Sequence, residues 1–185
     1  NEFRWSNRIR REDGLIRLVP GLGTRAVDRT ADDYPTLIAP RKPDLRVNIS
    51  MDERIRYAAR YIDLIDLEKD TFETVPIGTI LKEHGAEMPL TEMICSEVRD
   101  NMLISPTSRF NMDFERHEYI VTFERLFKET SIIKTLSTML DLLEKDIGTP
   151  VDLEFAHDGN HLYLLQCRPQ AHSKDLLPAH IPLDI

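Results

Sequence analysis

Apolar residues recur along the chain in two periods, and the two periods predict its elements. Leu15-Ile16-Arg17-Leu18-Val19 is a short apolar run stopped by Pro20-Gly21, which predicts a strand. Leu45, Val47 and Ile49 alternate as a half-buried strand would, after a loop over Ala39–Asp44. Ser50 followed three residues on by Glu53 is a capping-box pattern. Ile55, Ala58, Ala59, Ile62 and Ile65 then share one helical face, so the pattern predicts a helix from Ser50 to residue 68, with Tyr57 and Tyr61 in the core. Pro76 suits the first turn of a second, short helix that uses Ile77, Ile80, Leu81 and His84 and stops at Gly85. Leu90–Cys95 fits helix or strand, and Asn101–Asn111 reads as a loop. Tyr119–Phe123 has strong strand propensity. Ile132, Ile133, Leu136, Met139, Leu140, Leu143 and Ile147 make one stripe, predicting a helix over 131–147 with Thr130 or Ser131 at its start and Gly148 at its end.

Period two returns in Val151–Ala156 and again in Leu162–Arg168, separated by a turn with an Asp158-Gly159 signal. Register decides what this hairpin presents. A three- or five-residue loop centred on Gly159 pairs Asp152 with Gln166 and Glu154 with Leu164. Asp152, Glu154, Gln166 and Arg168 then gather on one face, while Tyr163, Leu165 and Cys167 meet the core. A two- or four-residue loop flips one strand and scatters the polar set. Two carboxylates, an amide and a guanidinium on one face fit a magnesium-phosphate site. Magnesium takes one or two carboxylates plus phosphate oxygens, and arginine offers a matching fork. A solvated hairpin face with one surface ion pair accounts for the same spacing.

Composition narrows the classes. The 185 residues, 41% hydrophobic and 30% charged, suffice for one large or two small domains with a packed core. The net charge of −8 argues against general binding to nucleic acid or an anionic membrane. That charge is uneven: residues 1–60 carry +4 and residues 61–185 carry −12, so the first third suits an anionic ligand or a solvated basic surface. The lone G-x-G, Gly21-Leu22-Gly23, makes neither a P-loop nor a dinucleotide fingerprint. Arg25 and Arg29 follow it and are candidates for phosphate contact. His157, Asp158 and His161 at the hairpin turn read as polar turn residues before they read as a metal site. Two cysteines, Cys95 and Cys167, fit a reducing cytoplasm. No apolar stretch approaches the roughly 20 residues of a membrane helix. The chain opens without Met and stops at Leu183-Asp184-Ile185, and it reads as a piece of a longer protein.

Pro150–Ala156 and Leu162–Pro169 together resemble the closing motif of the nucleotide-binding domain of the phosphoenolpyruvate synthase and pyruvate phosphate dikinase family: D-[IL]-E-[WF]-A, a turn, then L-[YW]-x-[LIV]-Q-x-R-P. Val19–Thr24 and Val27-Asp28-Arg29 resemble that family's G-L-G-E-x-V-V segment, with Thr24 in place of its Glu. The resemblance implies an α+β fold: part of an ATP-grasp-type domain, mainly antiparallel sheet with packed helices. The whole of 1–185 would be a fragment of that domain, with 171–185 as tail or linker. It implies ATP and Mg2+ as cofactors, with Glu154 and Gln166 at the metal and nucleotide phosphates, Arg168 clamping phosphate, and Asp152 supporting the same site. The implied partners are an N-terminal half that brings a Lys and an Arg to ATP, and a phosphohistidine carrier domain; the family's T-x-H carrier motif is absent here. The implied activity is phosphorylation of that carrier and then of pyruvate. The acceptor in related proteins is rifampin or glucan, and a non-catalytic nucleotide-binding or regulatory module is a further possibility.

Overall fold

Pro20 stops the first strand, and Gly21 carries the chain back across another one. The computed structural model describes residues 9–27, 33–45 and 50–170. After a 3₁₀ turn at Arg11–Asp13 comes β1 (Ile16–Leu18), then α1 (Thr24–Val27) and β2 (Thr36–Ile38), which pairs antiparallel with β1. The alternation expected through Val47 and Ile49, and the Asp28-Arg29 part of the glycine-segment resemblance, lie outside the described residues.

Ser50 caps α2 (Met51–Arg56) with a full capping box: its hydroxyl accepts from the Glu53 N–H, and the Glu53 carboxylate accepts from the Ser50 N–H. The helix does not run to residue 68. It closes at Tyr57, and β3 (Tyr61–Asp66) and β4 (Thr71–Pro76) form a hairpin instead. Local turn chemistry overrides the apolar stripe. Asp66 Oδ1 accepts the N–H groups of Glu68 and Lys69, Asp70 takes a positive φ of 54°, and Thr71-Phe72-Glu73-Thr74-Val75 supplies a partner rich in β-branched and aromatic residues. Tyr57 and Tyr61 are half-buried rather than core.

Next comes α3 (Ile77–His84), flanked by Pro76 and Gly85 as expected. Residues 90–95 are both helix and strand: α4 (Thr91–Ile94) leads directly into β5 (Cys95–Arg99). The segment read as a loop holds β6 (Met102–Ile104) and a 3₁₀ turn at Arg109–Asn111. Asp100 and Asn101, with φ of 50° and 59°, make the two-residue reversal that pairs Arg99 with Met102. On the other side of β5 lies β7 (Glu118–Val121), giving the order β6-β5-β7. Then follow α5 (Glu124–Glu129), α6 (Ile132–Ile147), β8 (Val151–His157) and β9 (Leu162–Pro169). Gly148 ends α6 at φ 77°.

Among the described residues helices therefore accompany four small antiparallel sheets, an α+β arrangement. One apolar cluster joins them, from Ile16 and Ile38 through Ile62, Leu81, Cys95 and Val121 to Ile133 and Leu136. The α6 stripe is buried only over its first half: Ile132, Ile133 and Leu136 are core, whereas Ile147 is 42% exposed. Burial pushes the Cys95 thiol up to about 12, which leaves it inert. Among the described residues no helix is long and apolar enough to cross a membrane.

The core also buries a charge network around Asp63. Asp63, 4% exposed, receives the Thr24 hydroxyl at 2.5 Å, the Thr74 hydroxyl at 2.7 Å and the Arg25 guanidinium at 3.4 Å. Arg25 also donates to Asp33 at 2.8 Å, and Asp33 accepts the Arg60 N–H at 2.7 Å. Burial alone would push the Asp63 carboxyl up. The two hydroxyls and the guanidinium outweigh it and hold the group below its ordinary 3.8. Beside this network the Leu22 N–H donates to the Asp63 carbonyl at 2.9 Å. A Cβ on Gly21, whose φ is 74°, would lie 2.4 Å from that carbonyl oxygen.

Two outcomes follow from this geometry. Gly21→Ala should lower the unfolding free energy by about 2–3 kcal/mol in urea titrations, because strain and backbone overlap coincide. Asp63→Asn should cost about 3 kcal/mol near neutral pH by leaving part of a buried guanidinium unmatched. A depressed carboxyl stabilises the fold above its unfolded value and ceases to as pH falls through its folded one. The gap between wild type and Asp63→Asn, followed by urea unfolding across the acid range, should therefore narrow below about pH 4.

Candidate functional site

The β8–β9 hairpin is built around Asp158. Its Oδ1 accepts the N–H groups of Asn160 and His161 at 2.8 and 2.7 Å, and its Oδ2 accepts the Tyr163 hydroxyl at 2.7 Å. The Tyr163 hydroxyl, followed by the two N–H groups, holds the Asp158 carboxyl well below the usual carboxylate range. This chemistry makes a four-residue loop, with His157 opposite Leu162. By parity alone such a loop scatters the polar residues. The chain restores parity with a bulge: Phe155 pairs with Leu164, then Glu154 pairs with Gln166, and Leu165 is left over.

The register therefore differs from the simple expectation. Asp152 lies opposite Arg168 rather than Gln166, and Glu154 lies opposite Gln166 rather than Leu164. The bulge corrects the outer part of the hairpin only. Asp152, Glu154, Gln166 and Arg168 still share one face, but near the turn the β9 residues change sides. Tyr163 pairs with Ala156 on the polar face, and its hydroxyl reaches Asp158. Leu165, expected in the core, is 65% exposed. Core contact passes instead to Phe155 and Leu162, which pack against the apolar cluster.

The four polar residues differ in how they are held. Arg168 Nε lies 3.7 Å from Asp152 Oδ2, an ion pair longer than a hydrogen bond, with side chains 59% and 47% exposed. Asp152 Oδ1 accepts the side-chain amide of Gln170 at 2.7 Å. Glu154 and Gln166 are opposite each other in the ladder, and their side chains have no hydrogen bond or ion pair with any described residue. Their oxygens face solvent. The donor set fits a hard cation: a carboxylate and an amide oxygen, with further positions left for water and phosphate oxygens. The open guanidinium beside them fits a phosphate. Among the described residues no group of three or more His, Cys, Asp or Glu is placed to hold a metal ion by itself.

The remaining candidates go elsewhere. His157 Nδ1 accepts the Gly159 N–H and His161 pairs with Asp158, so both serve the turn. Arg25 is not available for phosphate, since its guanidinium is committed to Asp33 and Asp63 and stacks over Tyr61 at 5.3 Å. Arg29 lies outside the described residues. Thr24 is spent on Asp63. The pattern of the sequence missed Gln170, which follows the last strand residue; its even number on the outer register was the available signal. A cavity of about 250 Å³ opens beside the turn, between Leu90, Met93, Ile132, Gly159 and Leu162. It lies at the opposite end of the hairpin from Asp152 and Arg168.

The family described as pyruvate phosphate dikinase, AMP/ATP-binding domain, matches the chain over residues 6–182, and the chain belongs to it. No curated protein and no solved structure matches the chain. The exposure of the polar face makes one outcome specific. Asp152→Ala and Arg168→Ala should each shift stability by no more than about 1 kcal/mol in urea titrations, as exposed ion pairs do. A loss several times larger would make the face a structural element rather than a binding surface.

Proposed function

We propose that this member of the pyruvate phosphate dikinase AMP/ATP-binding family binds the phosphates of ATP, with Mg2+, on the outer face of β8–β9. The domain is read as part of an ATP-grasp-type fold within an ATP-dependent phosphotransferase that phosphorylates a carrier histidine and then pyruvate. One observation carries the reading. The side chains of Glu154 and Gln166 stand on facing strands without hydrogen-bond or ion-pair partners among the described residues, next to an arginine whose terminal nitrogens make no hydrogen bond with any described residue.

Magnesium, when bound, would neutralise phosphate charge and fix the phosphate oxygens in place. Glu154 and Gln166 would hold it through their oxygens. Arg168 would grip phosphate oxygens as charge shifts during transfer, and Asp152 would keep that guanidinium on the face. Such a role is positioning and electrostatics, which is most of what phosphoryl transfer asks of a protein. The partners in this reading are a preceding half-domain that brings a Lys and an Arg to the nucleotide, and a separate domain that carries the histidine. A cytoplasmic setting belongs to the same reading, supported by two free cysteines.

A second reading is nucleotide binding without transfer. Thr24 favours it, because this residue stands where the resembled motif has a Glu, and its hydroxyl is bound to Asp63. An acceptor other than pyruvate, such as rifampin or glucan, would leave this face unchanged.

Calorimetric titration with Mg-ATP tests the face. The wild-type chain should bind, and Glu154→Ala and Arg168→Ala should each weaken binding, by roughly tenfold for a lost charge-assisted contact. Undiminished affinity in both variants would remove the nucleotide from this face. Turnover of ATP by the chain alone should be negligible on this reading; an enzyme-like rate would overturn the need for the partner half.

A further inference from the structure

We propose that Gln170 is a positioning residue for phosphate binding: its side-chain amide turns the Asp152 carboxylate so that Arg168 is held at Nε and presents both terminal nitrogens to the ligand. The inference rests on the reading of β8–β9 as the phosphate-binding face.

Asp152 divides its two oxygens between two neighbours. Oδ1 takes the Gln170 amide at 2.7 Å, and Oδ2 faces Arg168 Nε at 3.7 Å. A carboxylate only accepts, so the amide nitrogen of Gln170 must be the group turned toward it. That contact fixes the rotation of the carboxylate about its last bond and therefore where Oδ2 points. Gln170 is itself anchored. Its N–H donates to the Pro150 carbonyl at 2.8 Å, which extends the β8–β9 ladder one step past Val151 and Pro169. The position is even-numbered on the outer register, so alternation sends its side chain to the face of Gln166 and Arg168.

On the proposal, this brace biases the arginine toward one pose. The nearest approach to Asp152 is at Nε, and Nη1 and Nη2 make no hydrogen bond with any described residue. Those two nitrogens form the fork that meets two phosphate oxygens. An arginine without the brace explores its rotamers, and holding it in advance removes that entropy cost from binding.

The first measurement needs no nucleotide. In the 15N-labelled chain at mildly acid pH, the Arg168 Nε–H signal is identified by its disappearance in Arg168→Lys. Gln170→Ala and Asp152→Asn should both speed its exchange with water. Unchanged exchange in Gln170→Ala overturns the brace. The second is titration with Mg-ATP. Gln170→Ala should bind roughly threefold more weakly, the scale of one exposed ionic contact, and should have no effect in an Arg168→Ala background. Gln170→Glu should resemble Gln170→Ala at neutral pH and approach wild type in the acid range, where its carboxyl gains a proton to donate. A Gln170→Ala effect that persists in full without Arg168 overturns the brace alone. Equal affinity of wild type and Arg168→Ala overturns the phosphate reading of the face itself.

Discussion

The buried carboxylate of Asp63 is the constraint on which the first half of the molecule depends. A charge at that depth is tolerated only where partners replace the lost water. They come from three separate places along the chain: Thr24 and Arg25 after the glycine turn, Thr74 across the hairpin, and, through Arg25, Asp33 before β2. Satisfying one group therefore gathers α1, the start of β2 and the β3–β4 hairpin. The backbone joins in, because the Asp63 carbonyl takes the Leu22 N–H and leaves space beside it for no side chain at Gly21. The basic character of the first third is thus partly internal. Arg25 neutralises buried acids instead of waiting for an anionic ligand.

At the other end of the chain the polar face depends on backbone irregularity. Asp158 dictates a four-residue loop, and that loop has the wrong parity for the four polar residues. The bulge at Leu165 corrects the parity over the outer half of the hairpin. It also leaves Leu165 largely in solvent, whereas Tyr163, on the turn side of the bulge, keeps the side the loop gives it and faces away from the core. The loop sets the parity and the bulge between it and the polar face resets it, so the face is positioned by the two together.

Legibility followed the range of the interactions. The Ser50–Glu53 box, the Gly85 and Gly148 stops and the stripe of α6 are local, and the residues that decide them lie within a few positions. The helix expected through residue 68 failed where two local signals competed: an apolar stripe at helical spacing, and an aspartate turn at 66–70 with a β-rich partner behind it. The reversal at Asp100-Asn101 was written in two turn-prone residues but concealed inside a segment that looked irregular throughout. The Asp63 network was not legible, because Thr24 and Asp63 stand 39 positions apart and only the fold brings them together. In the hairpin the shared face was legible from alternation and the individual pairs were not, since a bulge changes parity without changing composition.

The exposed face also separates stability from function on physical grounds. A hairpin optimised only to fold would keep Leu165 against the core and let charged residues fall where solvent reaches them. Here apolar area stays in water while two carboxylates, an amide and a guanidinium are brought side by side, and the one ion pair among them, at 3.7 Å and half in solvent, returns little. Such an arrangement costs folding free energy. In the reading proposed above, a ligand offsets it: the side-chain oxygens of Glu154 and Gln166, without hydrogen-bond partners among the described residues, and the open guanidinium next to them would suit a hard cation together with anionic oxygens.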